Sequence, residues 1–298
     1  MMPLDPVRAV TRPLSKTIAS QGQLLDTLAK AVQGPLSSAV RATGPVGQTV
    51  KDFLHGVWLG HALHPALTDV PLGAWTAGAL FDLIGLGDAA DASFALGSLA
   101  AVPTALAGTA DWLEITDEPR RVGFVHAVLN VAALGLVVSS LGARAKGHRV
   151  VGVGLSGVGY ALAALSAWLG GELVYVLGTG ISHNAFEPAS PEYQVAADAA
   201  ALKEGVLAAA HIRVEEQDVP LVLLRRGDEV LALSGICSHS GGPLAEGKLV
   251  EDECVECPWH RSRFNLRDGN VHQGPATVPQ PVFEARIRDG KVEVRRTR

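Results

Sequence analysis

The 298-residue chain is 48% hydrophobic and only 18% charged, with a formal net charge of −5 and a mean hydropathy of +0.23. It is too apolar for a disordered chain and lightly charged for an ordinary soluble one. The negative balance argues against a nucleic-acid partner, which needs a basic surface, and three cysteines rule out a disulfide scaffold.

Residues 1–50 form the first segment. Leu14, Ile18, Leu24, Leu25, Leu28 and Val32 recur at mostly helical spacing, which predicts a surface-lying amphipathic helix. No compact apolar core follows the early arginines, so a secretory signal is not expected. Phe53 to Leu63 is a second short amphipathic stretch.

Residues 51–180 read as a four-helix transmembrane domain. Three windows lack Asp, Glu, Lys and Arg: Ala92 to Ala110 (19 residues), Val122 to Ala143 (22) and Val150 to Gly171 (22). About 20 apolar residues at 1.5 Å each cross the hydrocarbon layer, so each predicts a membrane span. A fourth window, Val70 to Gly87, carries Pro71 at its start and Asp82 inside. The spans are expected near 70–87, 92–112, 122–142 and 150–172. A carboxylate such as Asp82 is costly in hydrocarbon and calls for a partner, a function or an exit to headgroups.

Ser182 to Pro191 is polar and contains Pro, which predicts a linker over 181–205 with a short helix, because Val195 to Ala210 is rich in alanine. From residue 206 the texture becomes short apolar runs between turn signals. Asp289-Gly290, between two alternating segments, is a hairpin signal. The expected fold is therefore an all-α four-helix transmembrane bundle followed by a small all-β domain over 206–298.

That β domain carries the strongest chemistry: Cys237-Ser238-His239, then Cys257-Pro258-Trp259-His260 after a 17-residue interval. Each arm offers one thiolate and one imidazole, and the two suit facing loops that pinch a metal centre. Two Cys and two His also fit tetrahedral zinc, although the Cys-x-His spacing is short for a zinc arm. Gly241-Gly242-Pro243-Leu244 follows the first arm, and Phe264 lies just beyond the second.

Over about 206–298 these motifs resemble the Rieske domain. The resemblance implies a [2Fe–2S] cluster, with Cys237 and Cys257 on one iron and His239 and His260 on the other. It also implies that the imidazole edge is exposed and serves as the electron exit. The quinol-oxidising members add a disulfide at positions that are Gly242 and Trp259 here, and a tyrosine where this chain has Phe264. Ser262 does stand where those members place a hydroxyl near a bridging sulfide. Fewer donors imply a potential in the lower half of the roughly −150 to +300 mV Rieske range. Cys254 is left over, read as a bystander on a strand. Arg261, Arg263 and Arg267 read as a solvated loop or as a docking patch for an acidic redox partner.

The segment from His61 to Gly73, with Asp111-Trp112 and Gly170 to Tyr175, resembles a four-helix membrane family of unknown function. With four spans, His61, His64, His126 and His183 fall near one membrane face. They form a speculative second site for haem or another metal, with interfacial histidines as the alternative. The charge count between loops is nearly even. Cluster assembly in the cytoplasm favours a bacterial plasma membrane protein with its β domain on the cytoplasmic face. The expected function is a membrane-anchored single-electron carrier. The alternatives are a membrane oxidoreductase with a quinone or haem site, or a redox sensor. No general base, nucleophile or facial triad is evident, and the chain has no room for an oxygenase catalytic domain. The expected partners are the lipid bilayer and a redox protein or quinone.

Overall fold

The computed structural model describes residues 17–18, 20–251 and 253–296, so Leu14 of the expected first helix lies outside the described residues. The chain divides into two compact units. One comprises residues up to Gln48 together with Leu63–Thr179; the other comprises Thr49–Ala62 with Gly180–Arg298.

The first unit is helical: α1 (Gly22–Ala42), the start of α2 (Gly44–His55), α3 (Leu63–Leu83), α4 (Gly87–Trp112), α5 (Asp117–Ala145) and α6 (Arg149–Tyr175). Among the described residues, α4, α5 and α6 are long and apolar enough to cross a membrane. Helix α3 begins at Leu63 rather than near 70 and carries Pro71 inside it, buried. Helices α3 and α4 form one hairpin and α5 and α6 another. Trp75, Phe94, Ala133, Val137 and Ala163 make the central core. Gly97 permits it: a Cβ there would stand 2.3 Å from the Trp75 ring. Small residues allow such close approach where lipid offers no hydrophobic drive.

Helix α1 does not simply lie on a surface. Its Asp26 pairs with Arg120 at 2.9 Å and Arg121 at 3.2 Å. Its Gln33 amide donates to the carbonyls of Trp112 and Ile115. Asp82 likewise finds internal partners rather than headgroups. Arg144 grips it at 2.5 and 2.9 Å, and Arg149 adds a bond at 2.8 Å. Arg144 also reaches Asp91 at 2.8 Å and Ser156 at 2.7 Å. The side chains of Arg144 and Asp82 are 2% and 5% exposed, so a charge that is expensive alone is carried as a closed, bidentate network.

The second unit is built on two sheets. The larger has the order β1 (Gln194–Asp198), β10 (Lys291–Arg295), β9 (Val282–Arg288), β4 (Glu229–Ser234), β3 (Gln217–Arg226), β2 (Leu207–Val214). The smaller runs β5 (Lys248–Val250), β6 (Cys254–Glu256), β7 (Arg263–Asn265), β8 (Val271–Gln273). Every named strand pair is antiparallel. Asp289 and Gly290 both take positive φ in the two-residue turn between β9 and β10, the geometry that the Asp-Gly signal foretold.

Three expectations need correction. The alanine-rich stretch 195–210 is not helical: it holds β1, a single 3₁₀ turn at Ala199–Ala201, and the start of β2. Alanine's helix preference is a weak prior, and pairing of β1 with β10 and β2 with β3 overrides it. Nor is 182–191 a loose linker, because the buried Asn184 amide donates to the Ile236 carbonyl and to Gln280. Finally, Thr49–Ala62 belongs with the β unit. The Gly274 N–H donates to Asp52 there at 2.9 Å, and His55 is fully buried.

Candidate metal centre

Two loops carry the four predicted ligands, one between β4 and β5 and one between β6 and β7. They are built alike. In the first, the Cys237 N–H donates to the Gly242 carbonyl and the Gly241 N–H to the Cys237 carbonyl, at 2.8 and 2.9 Å. In the second, the Cys257 N–H donates to the Ser262 carbonyl and the Arg261 N–H to the Cys257 carbonyl, at 2.8 and 3.1 Å. Each loop turns through a left-handed residue at the same place, Gly241 (φ 79°) and Arg261 (φ 64°). The fold thus repeats one turn twice, around one cysteine each time.

The turns aim backbone N–H groups at the sulfurs. Those of His239 and Ser240 point at Cys237, and those of Trp259 and His260 point at Cys257. The thiols are 1% and 2% exposed and hydrogen-bond each other. That bond, helped by the backbone donors, holds Cys257 below the ordinary thiol range. The same bond, and then burial, pushes Cys237 up. The rings of His239 and His260 meet edge to face with centroids 5.0 Å apart. Burial first, then the neighbouring imidazoles of His260, His55 and His183 and the Lys51 ammonium, push His239 down to about 3. It is therefore neutral near pH 7, with a lone pair to give.

The donor set fits a two-iron cluster better than a single ion. Among the described residues, no three of these four donor atoms lie within 4.8 Å of one another. One tetrahedral zinc, with bonds of about 2.0–2.3 Å, would gather all four. Ser262 adds a second indication. It is fully buried, and its hydroxyl accepts the Ala276 N–H at 2.9 Å. Its own proton has no protein acceptor among the described hydrogen bonds. A Cβ on Gly242 would lie 2.8 Å from the Cys257 sulfur, so in this chain glycine lets the first loop pass close to it.

His239 and His260 are both half-buried, and Trp259 beside them is the exposed ring. His55 and Lys51, which approach His239, come from a stretch that carried no sign of a place beside the metal centre. The three arginines are ion-paired on the surface, and Arg261 stays largely exposed. Arg263 pairs with Glu256 and Glu251, Arg267 with Glu253 and Glu229, and Arg261 with Glu256.

The four histidines of the expected second site divide between the units. His64 and His126 meet in the helical unit with ring centroids 6.3 Å apart. Each Nδ1 is held by a carbonyl, of Thr104 at 2.9 Å and Ser166 at 2.8 Å. The Nε2 of His126 takes the Asn130 amide at 3.1 Å, which leaves that ring no nitrogen for a haem iron. His61 and His183 belong to the β unit. The His183 N–H donates to the Ser238 carbonyl, bracing the first cluster loop.

Residues 192–284 match the Rieske [2Fe-2S] domain, and residues 60–183 match a family described as a predicted membrane protein (DUF2231). The ferredoxin subunit of anthranilate 1,2-dioxygenase from Burkholderia cepacia is 45% identical over 75 residues, 25% of this chain and 68% of that protein. The ferredoxin component of biphenyl 2,3-dioxygenase from Rhodococcus jostii (strain RHA1) is 36% identical over 83 residues, 28% of this chain and 77% of its own length. Among solved structures, the ferredoxin of carbazole 1,9a-dioxygenase from Nocardioides aromaticivorans IC177 is 27% identical, covering 35% of this chain and 98% of that one, with a TM-score of 0.32. Fold and site together define a small iron–sulfur electron-transfer module joined to a helical membrane-type domain. The chain belongs to the Rieske [2Fe–2S] family, and its cofactor is a [2Fe–2S] cluster.

Proposed function

We propose that the protein is a membrane-anchored one-electron carrier whose cluster is held by Cys237 and Cys257 on one iron and His239 and His260 on the other. The observation that carries this reading is the pair of repeated loops, which bring two buried thiols and two imidazoles together. The cluster, when bound, accepts and returns a single electron. The protein's part is to bind and to tune. Four backbone N–H groups face the two sulfurs, and they favour the extra negative charge of the reduced state. The absence of a disulfide and of a tyrosine at Phe264 supports a low potential, offset in part by Ser262.

Anchoring is supported by the membrane-family match and by the apolar side chains that the helices leave exposed, among them Leu83, Leu99, Val131 and Val150. The relatives are ferredoxin subunits of dioxygenases, which supports a redox protein as partner here. Cytoplasmic assembly of such clusters supports the cytoplasmic face for the β domain.

Purified protein in detergent tests this directly. Two irons per chain are expected. The EPR spectrum of the reduced protein should show the lower average g value of a histidine-ligated cluster. His260→Ala should abolish both. Carbonate-resistant membrane association that survives in the variant would support the anchor. An all-thiolate spectrum, or extraction by carbonate, would overturn the corresponding half of the proposal.

A further inference from the structure

Cys254 is the cysteine that the cluster does not use. It opens β6, is 2% exposed, and its Sγ lies 3.4 Å from Nδ1 of His272 on β8. Glu251, in the turn between β5 and β6, completes a trio whose donor atoms all lie within 4.8 Å of one another. Along β6 and β7, Val255 and Phe264 face the core that contains Cys237 and Cys257. Cys254 alternates to the other face of the small sheet, so the trio is separate from the cluster.

We infer that Glu251, Cys254 and His272 form a zinc site on the outer face of the cluster-bearing sheet. One thiolate, one imidazole and one carboxylate suit a borderline cation such as zinc and not magnesium or calcium, which take oxygen donors. In a tetrahedral site with bonds of about 2.0 and 2.3 Å, nitrogen and sulfur stand about 3.5 Å apart; the pair is already at 3.4 Å. Three protein ligands leave the fourth position for water. The surroundings favour a cation as well. Burial, the largest cause, pushes the Cys254 thiol up and works against the thiolate, while Glu251, and to a lesser degree Asp268 and Glu253, place negative charge around the sulfur against Arg263. The thiol is therefore protonated until the metal arrives, and binding replaces its S–H bond by a sulfur–zinc bond and releases one proton to solvent. Arg263 holds Glu251 through Oε1 at 2.7 Å, so the carboxylate is the weakest of the three donors. None of this depends on what the cluster does.

The test is equilibrium dialysis of cluster-loaded, full-length protein against zinc chloride, read by elemental analysis. One zinc per chain beyond the cluster iron is expected. Cys254→Ser and His272→Ala should each weaken binding by more than the roughly 10–100-fold that an outer-shell partner is worth. Glu251→Gln should weaken it least. The cluster's visible spectrum should be unchanged in all three, which shows the fold intact. Should Cys254→Ser disturb the cluster, His272→Ala at its exposed position decides alone. No zinc in the wild type, or undiminished zinc in His272→Ala, overturns the site.

Discussion

Two polar clusters among the described residues are held together in opposite ways. In the helical unit, Asp82, Asp91, Arg144 and Arg149 satisfy one another, with Ser140 and Ser156 filling the remaining positions on Arg144. In the β unit, Cys237, Cys257, His239 and His260 are gathered by the backbone bonds of two loops, and their sulfurs receive main-chain N–H groups rather than opposite charges. The first cluster holds together by pairing charge with charge, the second by the shape of the main chain around soft donors.

Mutation breaks that contrast most sharply at the ligands. Cys257→Ala should eliminate bound iron and visible absorption while the helical unit keeps its thermal transition; retained iron would place the cluster elsewhere. Next in size, Arg144→Met leaves Asp82 without its main partner inside apolar surroundings. It should destabilise the helical unit by about 3–5 kcal/mol, and adding Asp82→Leu should recover most of the loss. Denaturation in detergent measures both, and equal losses in single and double variants would refute the closed network. Ser262→Ala tunes rather than destroys. A hydrogen bond to a charged acceptor is worth about 1.5–3 kcal/mol and only the part gained on reduction moves the potential, so the potential should fall by less than the roughly 65–130 mV equivalent in a redox titration. An unchanged potential would mean that the Ser262 proton goes elsewhere. The smallest effect concerns Glu187, whose carboxyl burial raises above 4.5 despite help from Ser234 and Arg296. The folded state then binds its proton more tightly than the unfolded state. Stability should therefore fall as pH rises from about 4.5 through the raised value, and Glu187→Gln should flatten that slope in thermal melts.

Much of this was legible in the sequence, for physical reasons. Uncharged windows of 19 and 22 residues leave few structures other than a buried or lipid-facing helix. Cys-x-His and Cys-x-x-His arms need only local chain to place a sulfur and a nitrogen side by side. What stayed hidden depends on partners far along the chain. Asp82 called for a partner, a function or headgroups, and its partner could not be named because Arg144 is 62 residues away. The alanines of β1 read as helix because β10, which pairs with them, comes at the other end of the domain. His55 and Lys51 gave no sign of lying near His239, since nothing local marks 49–62 as part of a β unit. Cys254 looked inert because His272 sits two strands over in the sheet.

The repeated turn separates shape from ligation. Each loop is locked by its own pair of main-chain bonds, and none of them involves a thiol or an imidazole side chain. Replacing a ligand side chain therefore removes a donor without removing a bond that shapes the loop.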